Sequence, residues 1–283
     1  MRKKIPIPKP KQEEVLVKVV YASICGTDIG IYDWIPWAAA HIKPPQVIGH
    51  EMVGKVLKIN TKSKTNIKVG DLVSSETHIF CLNCYQCEIK NYHICENMKL
   101  FGIGRDGSFA QYATIPLRTT WKNDPKIPVE AMSVQEPLGN AVNVVTKANR
   151  RKLAKKVGFD RVTDKLSPKE YGTFDAVLEM SGNRLGIEIA LDAARIAGKI
   201  IAFGIPKENI SIDWGKYLIN KELSIESVFG RMIWDTWKDT TKLLVSGKVD
   251  LRKIITHRFK LSEFEEAMKV MKSGECGKIL LIP

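Results

Sequence analysis

Four cysteines in the first half of the sequence have the spacing of metal ligands, namely Cys81, Cys84, Cys87 and Cys95 in a C-x2-C-x2-C-x7-C pattern. Thiolates this close together can surround one tetrahedral zinc ion. A disulfide-stapled loop is the alternative, but two-residue spacings are hard to bridge and no apolar export segment follows the basic N-terminus. We therefore predict a zinc site whose four protein ligands leave no position open for chemistry, so its role is structural.

A second set of potential zinc ligands flanks this cluster. Cys25 lies in SICGTD after a predicted strand, His50 and Glu51 lie in the glycine-flanked turn VIGHE, and Glu136 lies in QEPLG. Taken singly, a buried cysteine is usually a small apolar side chain, and a lone histidine is usually a satisfied polar group. Together, Cys, His and Glu ligands that leave a position for substrate are typical of a catalytic zinc ion.

The elements that would position these residues change character near residue 140. Up to about residue 135, stretches such as EEVLVKVVYAS alternate apolar and polar residues, which predicts half-buried strands with glycine turns. From about residue 144, strands alternate with helices, as in DAVLEMSG followed by IEIALDAARIAG, which predicts a parallel α/β sheet. We predict a zinc-binding catalytic domain from residues 1–137 and 248–283, and a cofactor domain from 138–247.

The sequence resembles the zinc-containing medium-chain alcohol dehydrogenases over nearly its whole length. The motifs CGTD and GHE indicate this broad family, whereas IYDW, KPPQ, ETH and ITHRF resemble its members that oxidise L-threonine. The resemblance implies an α/β protein with a GroES-like β-barrel catalytic domain and a Rossmann-type doubly wound parallel sheet. It also implies one catalytic and one structural zinc ion, NAD or NADP as cofactor and a homotetramer. We expect a cytoplasmic location, because no apolar export segment follows the basic N-terminus.

The resemblance also implies roles for individual residues. The catalytic zinc would be surrounded by Cys25, His50, Glu51 and Glu136. Either glutamate would be able to exchange with water or substrate. Thr27 would pass the proton of the substrate hydroxyl outward, and His78 would lie near the polar groups of the amino acid. Hydride would pass from the secondary hydroxyl to NAD(P), giving 2-amino-3-oxobutanoate.

Two features depart from the family pattern. Gly30 stands where a histidine of the proton relay is expected. A G-x-G-x-x-G loop, which binds the pyrophosphate of a dinucleotide, is also missing after QEPLGNAV. The next stretch, NVVTKANRRKLAKKVG, resembles the second strand and helix, so about 30 residues, one strand–helix element, are missing. Either the protein has lost its phosphate loop and first strand, or the natural protein carries residues absent from this sequence.

The basic residues after NVVTK allow two interpretations. An acidic residue at this position binds the ribose diol of NAD, whereas here Lys147, Asn149 and Arg150 occupy the neighbourhood. These three residues suit the 2′-phosphate of NADP and are our predicted cofactor-binding residues. Alternatively, they belong to the solvated face of a helix.

The composition, with 44% hydrophobic and 27% charged residues, is that of an ordinary globular protein. A formal charge of +13 raises the question of a nucleic-acid partner, but no base-reading module is apparent and we expect none. We expect no membrane span either, because no apolar run reaches the required ~18 residues. Three hypotheses follow: an L-threonine dehydrogenase, a sugar or polyol dehydrogenase of the same family, or a zinc-binding pseudoenzyme without cofactor binding.

Overall fold

The computed structural model describes residues 4–139, 161, 163, 165–206 and 208–283. Contacts divide the chain into two compact units, one of Met1–Ala141 with Arg231–Pro283 and the other of Val142–Gly230. The domain boundaries expected from the sequence stay a prediction. The predicted cofactor residues Lys147, Asn149 and Arg150 lie outside the described residues, as does the position where a phosphate loop is expected.

The strands, in chain order, are β1 (Glu14–Ser23), β2 (Glu51–Asn60), β3 (Leu72–Ser75), β4 (His78–Ile79), β5 (Lys99–Leu100), β6 (Tyr112–Pro116), β7 (Thr120–Lys122), β8 (Phe174–Glu179), β9 (Ala194–Ala202), β10 (Ser224–Ser227), β11 (Ile255–Lys260) and β12 (Lys278–Ile282). The helices are α1 (Gly26–Tyr32), α2 (Pro36–His41), α3 (Tyr85–Glu88), α4 (Val129–Met132), α5 (Gln135–Leu138), α6 (Arg184–Ala193), α7 (Asp235–Val245) and α8 (Phe264–Ser273). A π-helical segment spans Gly215–Asn220.

A mixed sheet forms the frame of the first unit. Its strands pair in the order β11-β12-β1-β2-β3-β7, and β6 pairs with the first half of β1. Ser23, the last residue of β1, is the partner of Glu51 on β2 and of Leu280 on β12. Three strand ends therefore meet where Cys25 leaves β1 and where His50 precedes β2.

Burial of alternate side chains explains why β1 lies at the centre of this sheet. Val15, Val17 and Val19 are at most 4% exposed and pack in one apolar cluster with Met268 of α8 and Leu281 of β12. Each fully buried side chain of this size contributes about 1.5–3 kcal/mol to folding. The cluster fixes β12 against β1, and thereby positions the start of β12 beside the end of β1.

The second unit contains a parallel sheet with the strand order β10-β9-β8. Helix α6 connects β8 to β9 and buries Ala190 and Leu191 in a cluster with Ile200 and Leu223. Beyond the strand ends, the backbone N–H groups of Phe203 and Gly204 donate to the carbonyl of Glu179 over 2.9 and 3.1 Å. The described part of this unit has the parallel α/β arrangement that the sequence predicts.

Candidate metal centres

The sulfur atoms of the four clustered cysteines are as far apart as the ligands of one tetrahedral metal ion. All four Sγ atoms lie within 4.8 Å of one another, with 3.9 Å between Cys81 and Cys87 and 3.9 Å between Cys84 and Cys95. Tetrahedral zinc with bonds of about 2.3 Å requires sulfur atoms about 3.8 Å apart. Cys81, Cys84, Cys87 and Cys95 form no disulfide. The geometry fits zinc and not the disulfide alternative.

Hydrogen bonds and burial distribute charge unevenly over this sulfur cluster. The Asn83 N–H donates to Cys81 Sγ over 3.4 Å and lowers the pKa of Cys81 to about 6. Burial raises the pKa of Cys95 to about 12 and also raises that of Cys87. Zinc binds thiolates, so a bound ion would displace the protons that burial retains.

A second group of potential ligands, two of them buried and one half-buried, lies where β1, β2 and β12 meet. One ligand atom each from Cys25, His50 and Glu51 lies within 4.8 Å of the other two. Cys25 is the N-cap residue of α1, and Glu51 is the first residue of β2. Gly49, which precedes His50, has φ +90°, and a Cβ there would lie 2.2 Å from Phe109. The turn into β2 therefore requires glycine, as the GHE motif has it.

Two buried polar atoms in and beside this group lack hydrogen-bond partners among the described residues, which indicates a place for a cation. His50 Nδ1 lies 3.8 Å from Asp28 Oδ1, and neither buried atom has a hydrogen-bond partner in the described structure. Burial opposes a charged imidazole, but Asp28 and Cys25 raise the pKa of His50 to about 10. Burial also raises the pKa of Asp28. A site that favours positive charge and offers S, N and O donors fits zinc.

The carboxylate of Glu51 is shared with a lysine from the other end of the chain. Lys278 Nζ donates to Glu51 Oε1 and Oε2, each over 2.6 Å, and the Ser23 hydroxyl also donates to Oε2. Burial disfavours the lysine's charge, but Glu51 raises the pKa of Lys278. Glu51 therefore has a positively charged partner within the protein, and its carboxylate is held at the strand junction.

The fourth predicted ligand, Glu136, is not part of the three-residue group. It lies on α5, 4% exposed, and its Oε1 accepts hydrogen bonds from Thr77 Oγ1 over 2.6 Å and from Arg231 Nη2. Its role as a zinc ligand stays a prediction. Arg231 was missed by reasoning from the sequence, and the FGR stretch that contains it carries no pattern that would reveal its partner.

The predicted catalytic histidine, His78, is held by a buried glutamate. The backbone N–H of His78 donates to Glu76 Oε1 over 2.9 Å, and Nδ1 lies 2.6 Å from the same oxygen. Burial opposes ionisation of Glu76, but Arg231 and His78 lower its pKa to about 2. Glu76 was also missed at the sequence level, although its place two residues before His78 is a usable signal.

The predicted proton-relay residue Thr27 lies on the first turn of α1, with its Oγ1 3.9 Å from Cys25 Sγ. Its role stays a prediction. Gly30 lies one turn further along the same helix, and a Cβ there would come within 2.9 Å of Ile35 Cδ1. The space beside the position where a relay histidine is expected is thus filled by Ile35.

Comparison with known proteins identifies the class of protein that this fold and these sites define. Residues 11–126 match the alcohol dehydrogenase GroES-like domain, and residues 138–246 match the zinc-binding dehydrogenase domain. The chain therefore belongs to the zinc-containing medium-chain alcohol dehydrogenase family. The family and fold class expected from the sequence are confirmed, and with them a zinc-dependent dehydrogenase.

Among individual proteins, the chain is similar to L-threonine 3-dehydrogenase of Pyrococcus abyssi, with 39% identity over 98% of this chain and 93% of that protein. The Bacillus velezensis L-threonine 3-dehydrogenase is 36% identical over 99% and 94%. Galactitol-1-phosphate dehydrogenase from Escherichia coli superposes with a TM-score of 0.86 at 21% identity, over 99% of this chain and 96% of that one. The last comparison supports the fold alone.

The alignment with the Pyrococcus abyssi enzyme spans 326 positions, whereas this chain has 283 residues, a difference of 43. At least that many positions within the matched span have no counterpart here. The sequence likewise lacks the glycine-rich phosphate loop and the first strand that the family resemblance leads us to expect. In the described part of the chain, no helix is long and apolar enough to cross a membrane.

Proposed function

We propose that this protein oxidises the secondary hydroxyl of L-threonine with zinc and NAD(P), giving 2-amino-3-oxobutanoate. The observation that carries the proposal is the Cys25, His50 and Glu51 group in a chain 39% identical to an L-threonine 3-dehydrogenase over 98% of its length. When bound, zinc supplies Lewis acidity toward the hydroxyl oxygen, and the nicotinamide accepts the hydride.

Residues of the chain itself would perform the remaining tasks. Cys25, His50, Glu51 and Glu136 would hold the metal, and either glutamate would exchange with water or substrate. The Thr27 hydroxyl, next to the metal-binding thiol, takes the proton of the substrate hydroxyl and passes it outward. His78 contacts the polar groups of the amino acid.

The carboxyl ends of the parallel strands β8 and β9 are the proposed location of NAD(P). Cofactors of open parallel sheets bind at this edge. The two loops that follow these strands pack tightly, because a Cβ on Gly204 would lie 2.1 Å from the backbone nitrogen of Gly182. Lys147, Asn149 and Arg150 remain proposed contacts for the far end of the cofactor.

A zinc-binding protein without turnover is the second candidate function. The specific observation in its favour is the lack of a counterpart for at least 43 aligned positions of the threonine enzyme, from 326 against 283. Without a phosphate loop, NAD(P) would lose the backbone N–H groups that bind its pyrophosphate. An intact mass of the natural protein several kilodaltons above 31.8 kDa would remove this candidate.

We also propose a homotetramer in the cytoplasm, supported by the family resemblance. Light scattering on the purified zinc-loaded protein would give the number of chains. Nucleic-acid binding is not proposed, and a salt titration against a duplex would expose it, since phosphate-driven binding falls steeply with salt.

The deciding experiment is an absorbance assay for NAD and NADP reduction by the zinc-loaded protein with L-threonine, D-threonine and sorbitol. Reduction with L-threonine alone supports the proposal, and reduction with sorbitol alone would replace it by a polyol dehydrogenase. Thermal unfolding with and without each cofactor accompanies the assay. Two bound zinc ions with no turnover and no cofactor-dependent rise in Tm would establish the second candidate.

A further inference from the structure

The carboxylate of Glu76 is the most heavily hydrogen-bonded acidic group near the predicted substrate histidine. It is fully buried and accepts from Arg231 Nε over 2.9 Å and Nη2 over 3.1 Å. Trp237 Nε1 donates to it over 2.7 Å, and His78 donates through its backbone N–H over 2.9 Å. A buried carboxylate requires such compensation, and this one is ionised because its pKa is held to about 2.

An ionised carboxylate determines the tautomer of the histidine beside it. His78 Nδ1 lies 2.6 Å from Glu76 Oε1. A carboxylate only accepts hydrogen bonds, so Nδ1 must carry the proton whether the ring is neutral or charged. Nε2 is then the nitrogen that carries no proton in the neutral ring. Glu76 thus fixes both the direction of the ring and the chemistry of its other nitrogen.

The same carboxylate holds a second predicted site residue through Arg231. The Arg231 side chain is 1% exposed and forms ion pairs with both Glu76 and Glu136. Thr77, between Glu76 and His78, donates to Glu136 over 2.6 Å. Thr77 therefore contacts Glu136 directly, and Glu76 contacts it through Arg231. Glu76 also holds the ring of His78.

We propose that Glu76 is a positioning residue of the dehydrogenase site: it holds His78 as the Nδ1–H tautomer, with Nε2 toward the polar groups of the amino acid, and it anchors the Arg231–Glu136 pair. The part that concerns the substrate rests on the proposed function. The part that concerns the tautomer and the anchoring rests on the described contacts alone.

The first test is nitrogen NMR of the zinc-loaded protein labelled with 15N-histidine. The chain has five histidines, and the signals of His78 are those that disappear in His78→Asn. We expect His78 of the wild-type protein to be protonated at Nδ1. In Glu76→Gln we expect this preference for Nδ1 to be lost. A wild-type His78 in the Nε2–H form would overturn the proposal without any variant being needed.

The second test is a double-mutant cycle on the KM for L-threonine. We expect Glu76→Gln to raise KM about tenfold in the wild-type background, as loss of a charge-assisted hydrogen bond does. In the His78→Asn background the same change should raise it less than twofold, because the ring through which Glu76 acts is gone. Equal factors in both backgrounds would contradict a positioning role.

The matched control is Glu14→Gln. Glu14 is also a buried carboxylate, 7% exposed and paired with Arg105 over 2.9 Å, but it contacts none of the predicted site residues that the structure describes. It should lower Tm without raising KM for L-threonine. If wild-type protein reduces neither cofactor with L-threonine, the proposed function fails, while the tautomer measurement still decides the role of Glu76.

Discussion

The Lys278 ammonium lies 2.6 Å from each carboxylate oxygen of Glu51, although the two residues are 227 positions apart. The Glu51 side chain is 1% exposed and that of Lys278 is 19% exposed. The pair joins the first residue of β2 to the first residue of β12, beside Cys25 and His50. A predicted metal ligand thus has a charged partner within the protein itself.

Replacing Lys278 by methionine should leave the Glu51 carboxylate buried without its cation. Breaking a buried pair in this way costs about 3–5 kcal/mol. We expect a loss of this size in the free energy of unfolding, measured by urea titration with a chelator present. The control is Lys269→Met, whose pair with Glu266 is exposed and whose loss should cost less than about 1 kcal/mol. Equal losses of unfolding free energy for the two variants would contradict the interpretation that Lys278 stabilises a buried Glu51 carboxylate.

Removing one thiol of the cysteine cluster should remove one zinc ion. We expect Cys84→Ser to reduce the zinc content from two ions per chain to one and to lower Tm, because a structural zinc site contributes directly to folding. Native mass spectrometry and elemental analysis give the zinc count. Cys276→Ser is the control, since Cys276 is equally buried but lies outside the cluster, and it should retain both ions. Fewer than six titratable thiols in denatured, metal-free protein would instead reveal a disulfide.

Thr27→Val should slow turnover without changing the metal content. Loss of a positioned proton-transfer group typically costs a factor of about 10²–10⁴ in kcat. We expect a decrease within this range with L-threonine, because Val lacks the hydroxyl that lies 3.9 Å from Cys25 Sγ. Thr27→Ser retains the hydroxyl and should keep most of the activity. A kcat within twofold of wild type for Thr27→Val would exclude Thr27 from the relay.

The stability that Glu76 contributes should disappear in acid. Its pKa is lowered in the folded protein from 4.5 to about 2. A lowered folded-state pKa stabilises the protein above pH 4.5 and ceases to do so as the pH falls toward 2. The difference in unfolding free energy between wild type and Glu76→Gln should therefore shrink between these pH values. Urea titrations of both metal-free proteins at pH 5 and pH 3 measure this difference in unfolding free energy. The same difference at both pH values would contradict the stabilising role of the ionised Glu76.

The sequence predicts those parts of the site that local spacing determines. The cysteine cluster lies within fifteen residues, so the spacing alone predicts that its four sulfur atoms can come together. Cys25, His50 and Glu51 were found from short motifs, and the structure brings one ligand atom of each within 4.8 Å of the others. The parallel α/β arrangement followed from alternating strand and helix patterns, because that alternation permits few topologies.

Contacts between distant segments could not be predicted in the same way. Arg231 and Trp237 lie 155 and 161 positions from Glu76, and nothing local to either residue specifies a buried carboxylate as its partner. Glu136 shows the consequence. Its motif gives no sign that Arg231 and Thr77 contact its carboxylate. Buried ion pairs depend on how sheets and helices close around them, which a linear pattern does not encode.

Charge reversal at the basic cluster after NVVTK should distinguish the two interpretations of Lys147 and Arg150. If these side chains bind a 2′-phosphate, Lys147→Glu with Arg150→Glu should weaken NADP at least tenfold more than NAD, because only NADP carries that phosphate. Dissociation constants from fluorescence quenching measure both cofactors. Lys155→Glu with Lys156→Glu makes the same change in net charge nearby and should affect NAD and NADP alike. An equal effect of the first pair on both cofactors would identify Lys147 and Arg150 as part of a solvated helix face.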